Sequence, residues 1–474
     1  MRMIDATTIE QVTGAKVISR CHTQMNGIGT DTRVDLTGQL FVALKGESFD
    51  AHQFLQKAIE QNAAAVLIHS NLEEVQKYSD RISIFVVSDN LKALQQLGTW
   101  SRRQSRAKVL AMTGSNGKTT TKEFAAAIIG SCRSVHYSKG SFNNHWGVPF
   151  TLLQLPENVD VAIVEMGMNH AGEITELVHI AEPDVVVCTM VGKAHIEHFG
   201  TLEKIATAKE EIYLAAKSHA QKIYNLDNEL TLKMYEQEIK NNQIGMQKPI
   251  VFSEKNPKAN VHLQIKELDM HQMTLTGQID GVHGSVKVKV FGQQNLTNLQ
   301  AAAALALAAG LSAEEIWHGL QSCRTNWGRN QLVQVKTGAH VIFDGYNANP
   351  DSMAALIRNI PLLKCEGKKI GVFGEMLEMG PQSGQFHFEL GQQAGEAGFD
   401  QVYFLGQHAP DFARGLASVD YNGLSVIDQE FKTSSVEEFK HELQNGDIAV
   451  IKGSRGMKME RYLLACDPID FENK

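Results

Sequence analysis

Cysteine is scarce in this chain of 474 residues, and no two of its six cysteines form a C-x-x-C pair: they are Cys21, Cys132, Cys188, Cys323, Cys365 and Cys466. Their spacing excludes a disulfide framework and a zinc site of paired cysteines. Long apolar runs are also missing, since the longest, residues 301–309, covers about half a membrane span. The N-terminus has no apolar signal core. We therefore expect a cytoplasmic protein that does not insert into a membrane.

Basic residues are also fewer than acidic ones: the sequence has 45 Lys and Arg and 53 Asp and Glu, which gives a formal net charge of -8. Nucleic-acid binders usually carry a basic face, so we expect no nucleic acid as a partner. The hydrophobic fraction of 43% and charged fraction of 21% are ordinary for a soluble globular protein. The length predicts about three domains.

Changes of pattern divide the chain into three parts. Residues 1–87 alternate short apolar runs with amphipathic stretches, which predicts a small α/β domain. Residues 88–328 contain β-branched strands separated by helical lengths, as in a parallel sheet covered on both faces, and then period-two hairpins at 261–290. Residues 329–474 alternate strands and helices in a Rossmann-like series. The predicted class is α/β.

The string Thr113-Gly114-Ser115-Asn116-Gly117-Lys118-Thr119-Thr120 lies between a predicted strand and a predicted helix. In such a turn small residues let backbone N–H groups and a helix N-terminus converge on phosphate oxygens. We expect Lys118 to face the β- and γ-phosphates and the Thr119 hydroxyl to bind Mg²⁺. The motif therefore predicts ATP binding.

Three further side chains lie at positions where they could take part in binding ATP and Mg²⁺. Glu165 ends an apolar strand, His195 follows another strand at what should be the same sheet edge, and Lys209 lies on a predicted helix. A strand-end carboxylate can reach a metal ion, but it can equally be solvated. A lone histidine is more often structural, and a helical lysine is more often a surface residue. The pattern alone leaves these alternatives open.

Five motifs occur in the order found in the Mur ligases, and together they resemble that family of ATP-dependent enzymes of peptidoglycan precursor synthesis. They are residues 114–120, the strand end at Glu165, residues 192–200, the helix around Lys209, and residues 292–298. The resemblance runs through essentially the whole chain. It implies a small N-terminal α/β domain that binds a UDP-linked substrate, a central P-loop ATPase domain and a C-terminal Rossmann-like domain.

The resemblance also implies catalytic roles. Lys118 would bind phosphate, Thr119 and Glu165 would hold one Mg²⁺, and His195 would hold a second. Lys209 matches a lysine that becomes carbamylated. That modification is chemically sensible, because an ammonium group cannot coordinate a cation whereas a carbamate presents a carboxylate.

Nucleotide contacts outside the glycine-rich turn are implied for four more residues. Asn295 and Asn298 match positions near the adenine, and Arg329 would clamp ATP from the domain joint. Asp344 ends a strand, where a carboxylate can accept both ribose hydroxyls.

Three C-terminal strings, residues 343–353, 374–380 and 452–458, resemble the signature of the family member that adds D-alanyl-D-alanine. The Asp-Asn-Pro-Arg string of the diaminopimelate-adding relative is absent from the sequence. Substrate contacts are then implied for Asp31, Thr32, Arg33, Lys45, Asn143, Asn144, Tyr346, Asn349 and Ser352.

The resemblance implies that a monomer joins D-alanyl-D-alanine to UDP-N-acetylmuramoyl-tripeptide through an acyl phosphate, using ATP and two Mg²⁺ ions. We also expect the domains to close on binding, with hinges near residues 87 and 328. Two alternatives stay open at this point. The chain could be a related ligase that adds a single amino acid, or a sensor that binds ATP and UDP-linked peptides without joining anything.

Overall fold

The computed structural model describes residues 3–46, 49–138, 140–241 and 247–472. Within these ranges the chain forms three main sheets, one in each predicted part, and a small antiparallel pair of Ile4–Asp5 with Gln24–Met25. Helices alternate with largely parallel strands, so the predicted α/β class is confirmed. None of the described helices combines the length and the apolar character needed to span a bilayer.

The N-terminal sheet has five strands among the described residues, in the order Lys16–Ser19, Ser83–Val86, Ala65–Ile68, Leu40–Val42 and Ile28–Gly29. The first pair is antiparallel and the others are parallel. The inner strands are apolar and fully buried because helices cover the sheet on both faces. The helical segments here are Ala6–Thr13, Ala51–Phe54, Leu55–Glu60 and Leu72–Gln76.

The helix Asn90–Gln104 packs into the N-terminal core and against the helices Gly147–Leu153 and Glu173–Ala181 of the central domain. Leu94 and Leu97 are buried in the N-terminal core. Near the other end of the helix, Ser101 donates a hydrogen bond to the Leu152 carbonyl at 2.8 Å, and Arg102 pairs with Asp184 at 2.8 Å. The helix therefore ties the first two parts of the chain together.

The central sheet runs over nine strands of the described chain, in the order Val282–Val288, Met273–Ile279, Val261–Leu268, Ile250–Phe252, Gln221–Asn225, Val185–Cys188, Lys108–Thr113, Val161–Glu165 and Val135–Tyr137. The first three strands form the predicted antiparallel hairpins, and the rest of the sheet is parallel. Its helices are Lys118–Gly130, Gly147–Leu153, Glu173–Ala181, Ile196–Phe199, Leu202–Leu214, Glu229–Asn241, Asn295–Ala309 and Ala313–Leu320.

The register of the parallel strands positions the candidate site. Met112 lies opposite Glu165 on one neighbouring strand, and Thr113 lies opposite Cys188 on the other. The carboxyl ends of these three strands therefore meet at one edge of the sheet, where open α/β sheets bind ligands.

The C-terminal sheet has six described strands, in the order Gln331–Gln334, His340–Asp344, Ile448–Lys452, Lys369–Gly374, Gln401–Leu405 and Leu424–Asp428. Only its first described pair is antiparallel. Its α-helices are Pro350–Ile357, Ser383–Glu396, Ala409–Ala417, Thr433–Glu442 and Glu460–Ala465, with 3-10 turns at Ile360–Leu362, Gly380–Gln382 and Arg455–Met457. The two outer strands were not predicted, because their exposed positions break the apolar pattern.

Candidate active site

The glycine-rich turn after the strand Lys108–Thr113 opens directly into the helix Lys118–Gly130, as predicted. Gly114 and Gly117 have φ angles of 150° and 82°. A Cβ atom at Gly114 would lie 1.9 Å from the Thr189 hydroxyl, and one at Gly117 would lie 2.1 Å from the Asn298 side-chain oxygen. Both positions therefore require glycine for conformation and for space. Residues 114–120 are called the phosphate loop below.

The phosphate loop is fastened to the strand end that carries residues 189–192. Ser115 accepts a hydrogen bond from the Gly192 N–H at 2.8 Å and donates one to the Gly192 carbonyl at 2.9 Å. The Thr189 hydroxyl donates to the Asn116 carbonyl at 2.7 Å. Thr120 is half-buried in the first turn of the helix. These bonds fix the loop as a preformed cradle with its helix N-terminus facing the sheet edge.

The structure brings Lys118, Thr119 and Glu165 together at this sheet edge. Thr119 donates a hydrogen bond from its hydroxyl to the Glu165 carboxylate at 2.9 Å, and Asn143 donates to the other carboxylate oxygen at 2.8 Å. Lys118 folds back onto the Gly114 carbonyl at 2.7 Å. Burial lowers the pKa of Lys118, and the nearby Glu165 carboxylate opposes that shift. Glu165 is itself 1% exposed.

His195 lies in the turn before the helix Ile196–Phe199, with a left-handed φ of 62°. Burial and then the positive charges of Lys118 and Lys209 lower its pKa to about 4. The imidazole is therefore neutral at neutral pH, the form that binds metals. Its buried Nδ1 has no hydrogen-bond partner in the described chain, and Glu378 lies 3.7 Å away.

Lys209 lies in the middle of the helix Leu202–Leu214 and is 1% exposed, so it is not a surface lysine. Burial, followed by the charge of Lys118, lowers its pKa to about 7. Near neutral pH a large share of this side chain is therefore a free amine. A free amine is a nucleophile, whereas an ammonium group is not.

The C-terminal domain contacts the phosphate loop through Arg329 and the nearby residue Ser141 through Tyr346. Arg329 donates to the Thr119 hydroxyl at 3.2 Å, and its guanidinium lies 4.2 Å from the Tyr346 ring centroid. The Tyr346 hydroxyl donates to Ser141 at 2.7 Å. The buried Nε of Arg329 has no hydrogen-bond partner among the described residues. A buried guanidinium N–H without a partner is suited to an anionic ligand.

The N-terminal turn of the helix Pro350–Ile357 also contacts the central domain. The contact region between the central and C-terminal domains around Arg329, Tyr346 and Asn349 is called the seam below. Asn349 donates to the Asn116 side chain at 2.8 Å, while its own oxygen accepts from the Ser352 N–H at 2.9 Å. Asp351 accepts a hydrogen bond from the Lys193 N–H at 2.6 Å. Ser352 caps the helix through its contacts with Asn349, so its hydroxyl is already engaged in local structure.

Asp344 is buried at the end of its strand and both of its carboxylate oxygens have partners. One accepts from Lys452 at 2.6 Å and the other from the Asn330 N–H at 3.1 Å. In the central domain Asn295 donates to the Phe291 carbonyl at 2.7 Å and accepts from Asn298 at 2.9 Å. Asn298 thus lines the back of the phosphate loop beside Gly117.

Of the remaining substrate candidates, all except Asn144 lie in the N-terminal domain. Arg33 is exposed and pairs with Asp31 at 2.8 Å, and Lys45 lies 3.3 Å from Asp50. The Thr32 carbonyl accepts from the Gln61 side chain at 2.7 Å. In the central domain Asn144 accepts a hydrogen bond from the N–H of Gly147, the first residue of the helix Gly147–Leu153, at 2.9 Å.

Several site residues were missed by sequence reasoning. Asp351 and Lys452 belong to strings that the family signature contains, but nothing in the pattern shows that one reaches a backbone N–H of the central domain or that the other neutralises Asp344. Lys122 lies one turn after Lys118 on the same helix, a spacing that could have drawn attention to it.

The donor set fits a magnesium nucleotide. A hydroxyl and a carboxylate oxygen 2.9 Å apart at Thr119 and Glu165 are hard oxygen donors of the kind Mg²⁺ takes beside phosphates. The helix N-terminus at Lys118 and the Nε of Arg329, which has no partner among the described residues, suit the phosphates themselves. Among the described residues, no group of three or more His, Cys, Asp or Glu side chains is placed to hold a metal ion.

Comparison with known proteins gives consistent matches. The pattern of the Mur ligase middle domain matches residues 112–306, and that of the Mur ligase, glutamate ligase domain matches residues 328–455. The UDP-N-acetylmuramoyl-tripeptide--D-alanyl-D-alanine ligase of Bacillus subtilis (strain 168) is 34% identical over 441 residues, which is 93% of each chain. The ligase of the same name from Escherichia coli (strain K12) is 33% identical over 445 residues, again 93% of each chain.

Solved structures agree with the sequence matches. A crystal structure of MurF from Acinetobacter baumannii superposes with a TM-score of 0.86 at 29% identity and covers 98% of each chain. MurF ligase from Thermotoga maritima in complex with ADP superposes with a TM-score of 0.76 at 26% identity, over 93% of this chain and 96% of the other. With its phosphate loop, its sheet-edge carboxylate and its three-sheet architecture, this chain belongs to the Mur ligase family.

Proposed function

We propose that this chain joins D-alanyl-D-alanine to UDP-N-acetylmuramoyl-tripeptide with conversion of ATP to ADP and phosphate, forming UDP-N-acetylmuramoyl-pentapeptide for peptidoglycan synthesis. The observation that carries the proposal is the cluster of Lys118, Thr119, Glu165, His195 and Lys209 at one sheet edge, within a chain whose full-length relatives bear the name of this ligase.

The chemistry needs activation, because a carboxylate is a poor acyl donor in water. The peptide carboxylate attacks the γ-phosphorus, the bond from that phosphorus to ADP breaks, and an acyl phosphate forms. The amine of the dipeptide then attacks the acyl carbon, the bond to phosphate breaks, and the amine gives up a proton. Both steps bring anions together, so positioned positive charge supplies much of the catalysis.

Lys118 and Arg329 are the chain's own positive groups for this task. Lys118 now rests on the Gly114 carbonyl and can swing to a phosphate without leaving the loop. Arg329 approaches the Thr119 hydroxyl from the C-terminal domain, and its buried Nε–H has no partner among the residues that the structure describes. The two cations thus reach the phosphate loop from different domains.

Thr119 and Glu165 would hold one Mg²⁺, and neutral His195 would offer a nitrogen to a second. When bound, these ions neutralise phosphate charge. Lys209 fits carbamylation because its pKa near 7 provides the free amine that reacts with CO₂. The resulting carbamate carries a negative charge in place of the positive one that now depresses the His195 pKa. Carbamylation would therefore make the second site more favourable for a cation.

The substrate is proposed to lie between the sheet edge and the N-terminal domain. Asn143 and Asn144 belong to the loop beside Glu165, and Tyr346 reaches the same loop from the C-terminal domain. Arg33 and Lys45 offer exposed positive groups in the N-terminal domain for the UDP pyrophosphate. Asn295, Asn298 and Asp344 are proposed for the nucleoside of ATP, where Asp344 would exchange its bond to Lys452 for ribose hydroxyls.

The proposed domain limits are residues 1–87, 88–328 and 329–474. We propose a monomer in a reducing cytoplasm, and the six free cysteines support that compartment.

The test is phosphate release from ATP and Mg²⁺ with purified UDP-N-acetylmuramoyl-tripeptide, comparing D-alanyl-D-alanine with single amino acids and with no acceptor. Release that requires the dipeptide, with a pentapeptide product confirmed by mass, is expected. Turnover only with a single amino acid would assign a different ligase activity. Nucleotide binding without turnover would favour a sensor. Lys118→Met serves as the negative control for phosphate release, because it removes the cation proposed to bind phosphate.

A further inference from the structure

Lys122 is a buried lysine that the proposed chemistry does not use. It lies on the phosphate-loop helix Lys118–Gly130, one turn beyond Lys118, and its side chain is fully buried. Lysine is almost never buried without partners, because desolvating its ammonium group is costly. The contacts of the Lys122 ammonium group therefore indicate its role.

The ammonium group of Lys122 has two backbone partners in the segment after the strand Val135–Tyr137. It donates to the Ser138 carbonyl at 2.7 Å and to the Gly140 carbonyl. It also lies 3.8 Å from Glu165 and 3.6 Å from Glu123. An ammonium group has three N–H donors. Two of them bond to the carbonyls of Ser138 and Gly140, and the third is directed toward the carboxylates of Glu165 and Glu123.

The segment that Lys122 holds leads into residues 140–146, called the substrate loop here. Ser141 accepts the Tyr346 hydroxyl bond at 2.7 Å, and Asn143 donates to Glu165 at 2.8 Å. The Gly167 N–H donates to the Asn143 carbonyl at 2.7 Å. These contacts fix the far part of the loop, and Lys122 fixes its near end from the helix that begins at the phosphate loop.

We propose that Lys122 is a positioning residue that holds the substrate loop in register with the phosphate loop, so that the UDP-linked peptide meets a preformed surface beside the nucleotide. This inference rests on the proposed function for the identity of the substrate. Lys122 acts through the loop backbone and not on the reacting atoms. Loss of its ammonium group should therefore weaken peptide-substrate binding while leaving the nucleotide cradle, built from Gly114 and Gly117, intact.

Lys122→Met removes the ammonium group and keeps the length of the side chain. We expect the KM for UDP-N-acetylmuramoyl-tripeptide to rise roughly tenfold or more, because two charge-assisted hydrogen bonds to the loop are lost. The Kd for ADP, measured by calorimetry, should stay within about threefold of the unmodified protein. Amide hydrogen exchange should quicken in a peptide covering residues 140–147. Lys122→Arg, which keeps donors and charge, should retain most of the substrate affinity.

Two matched controls separate this role from general stability. Lys222→Met makes the same change at a partly buried lysine of the central domain that pairs with Glu238. Glu123→Gln removes the other nearby carboxylate but leaves both loop carbonyls bound to Lys122. Both should leave the KM and the exchange of the loop unchanged.

An unchanged KM and unchanged exchange in Lys122→Met would overturn the inference, and so would a loss of ADP affinity equal to the loss of substrate affinity. If Lys122→Met does not fold by circular dichroism, Lys122→Gln is judged by the same criteria. Dipeptide-dependent turnover by the unmodified protein tests the proposed function separately, while the ADP and exchange measurements do not depend on it.

Discussion

Replacement of Tyr346 by Phe tests whether the seam between the central and C-terminal domains contributes to turnover. The change removes one hydrogen bond of 2.7 Å to Ser141 and keeps the aromatic ring under Arg329. A neutral hydrogen bond of this kind contributes about 0.5–1.5 kcal/mol, so kcat/KM should fall about two- to tenfold. Tyr346→Leu also removes the cation–π contact and should cost about 0.5–2 kcal/mol more.

The assay is steady-state phosphate release for the unmodified protein, Tyr346→Phe, Ser141→Ala and the double variant. If the two side chains act through their mutual bond, the double variant should be little worse than either single one, with a coupling energy of about 1 kcal/mol. Additive losses would show that the bond does not form in the state that limits turnover. The reasoning would then be refuted even if each single variant is impaired.

Further outcomes follow from the pKa values and from the backbone. Because the Lys209 pKa is lowered to about 7, its amine is free above that pH and protonated below it. Activity should therefore fall from pH 7 to pH 6, and added bicarbonate should restore part of it. Labelling with ¹³CO₂ should give a carbamate signal that Lys209→Met lacks. Glu165→Gln should reduce kcat by at least about a hundredfold while ADP still binds without Mg²⁺, as phosphate release and calorimetry can check. Gly114→Ala should abolish ADP binding, because its Cβ would lie 1.9 Å from the Thr189 hydroxyl. As a control, Gly281 has a φ of 85° and no atom within 4 Å of its Cβ position. Gly281→Ala should lower the free energy of unfolding by about 1–2 kcal/mol and leave the Kd for ADP unchanged.

The regular elements of the fold were largely predictable from sequence. Buried parallel strands such as Val161–Glu165 and Val185–Cys188 are continuous apolar runs, which the sequence displays directly. Edge strands such as Leu424–Asp428 were missed, because their exposed residues need not be apolar. The short strands Val135–Tyr137 and Ile250–Phe252 escaped for a related reason, since three residues are too few to establish a period.

The candidate site was predictable where one motif holds its residues in sequence, and less so where tertiary contacts bring them together. The phosphate loop follows from the strand–turn–helix pattern, whereas the pattern left the role of Glu165 open and only the resemblance implied it. Lys209 could be assigned only by resemblance, since its burial depends on packing that helical spacing does not reveal. The bonds of Asp351 to Lys193 and of Lys122 to Ser138 join distant segments, and no local pattern encodes them.

The hydrogen bonds across the seam place the nucleotide site under a cover that the C-terminal domain itself supplies. Arg329 and Asn349 both bond to side chains of the phosphate loop, and Asp351 holds the adjoining turn. With the nucleotide bound at the phosphate loop as proposed, ADP would leave only after those bonds break. Turnover limited by that step would then fall as the viscosity of the solvent rises, however fast the chemical steps become.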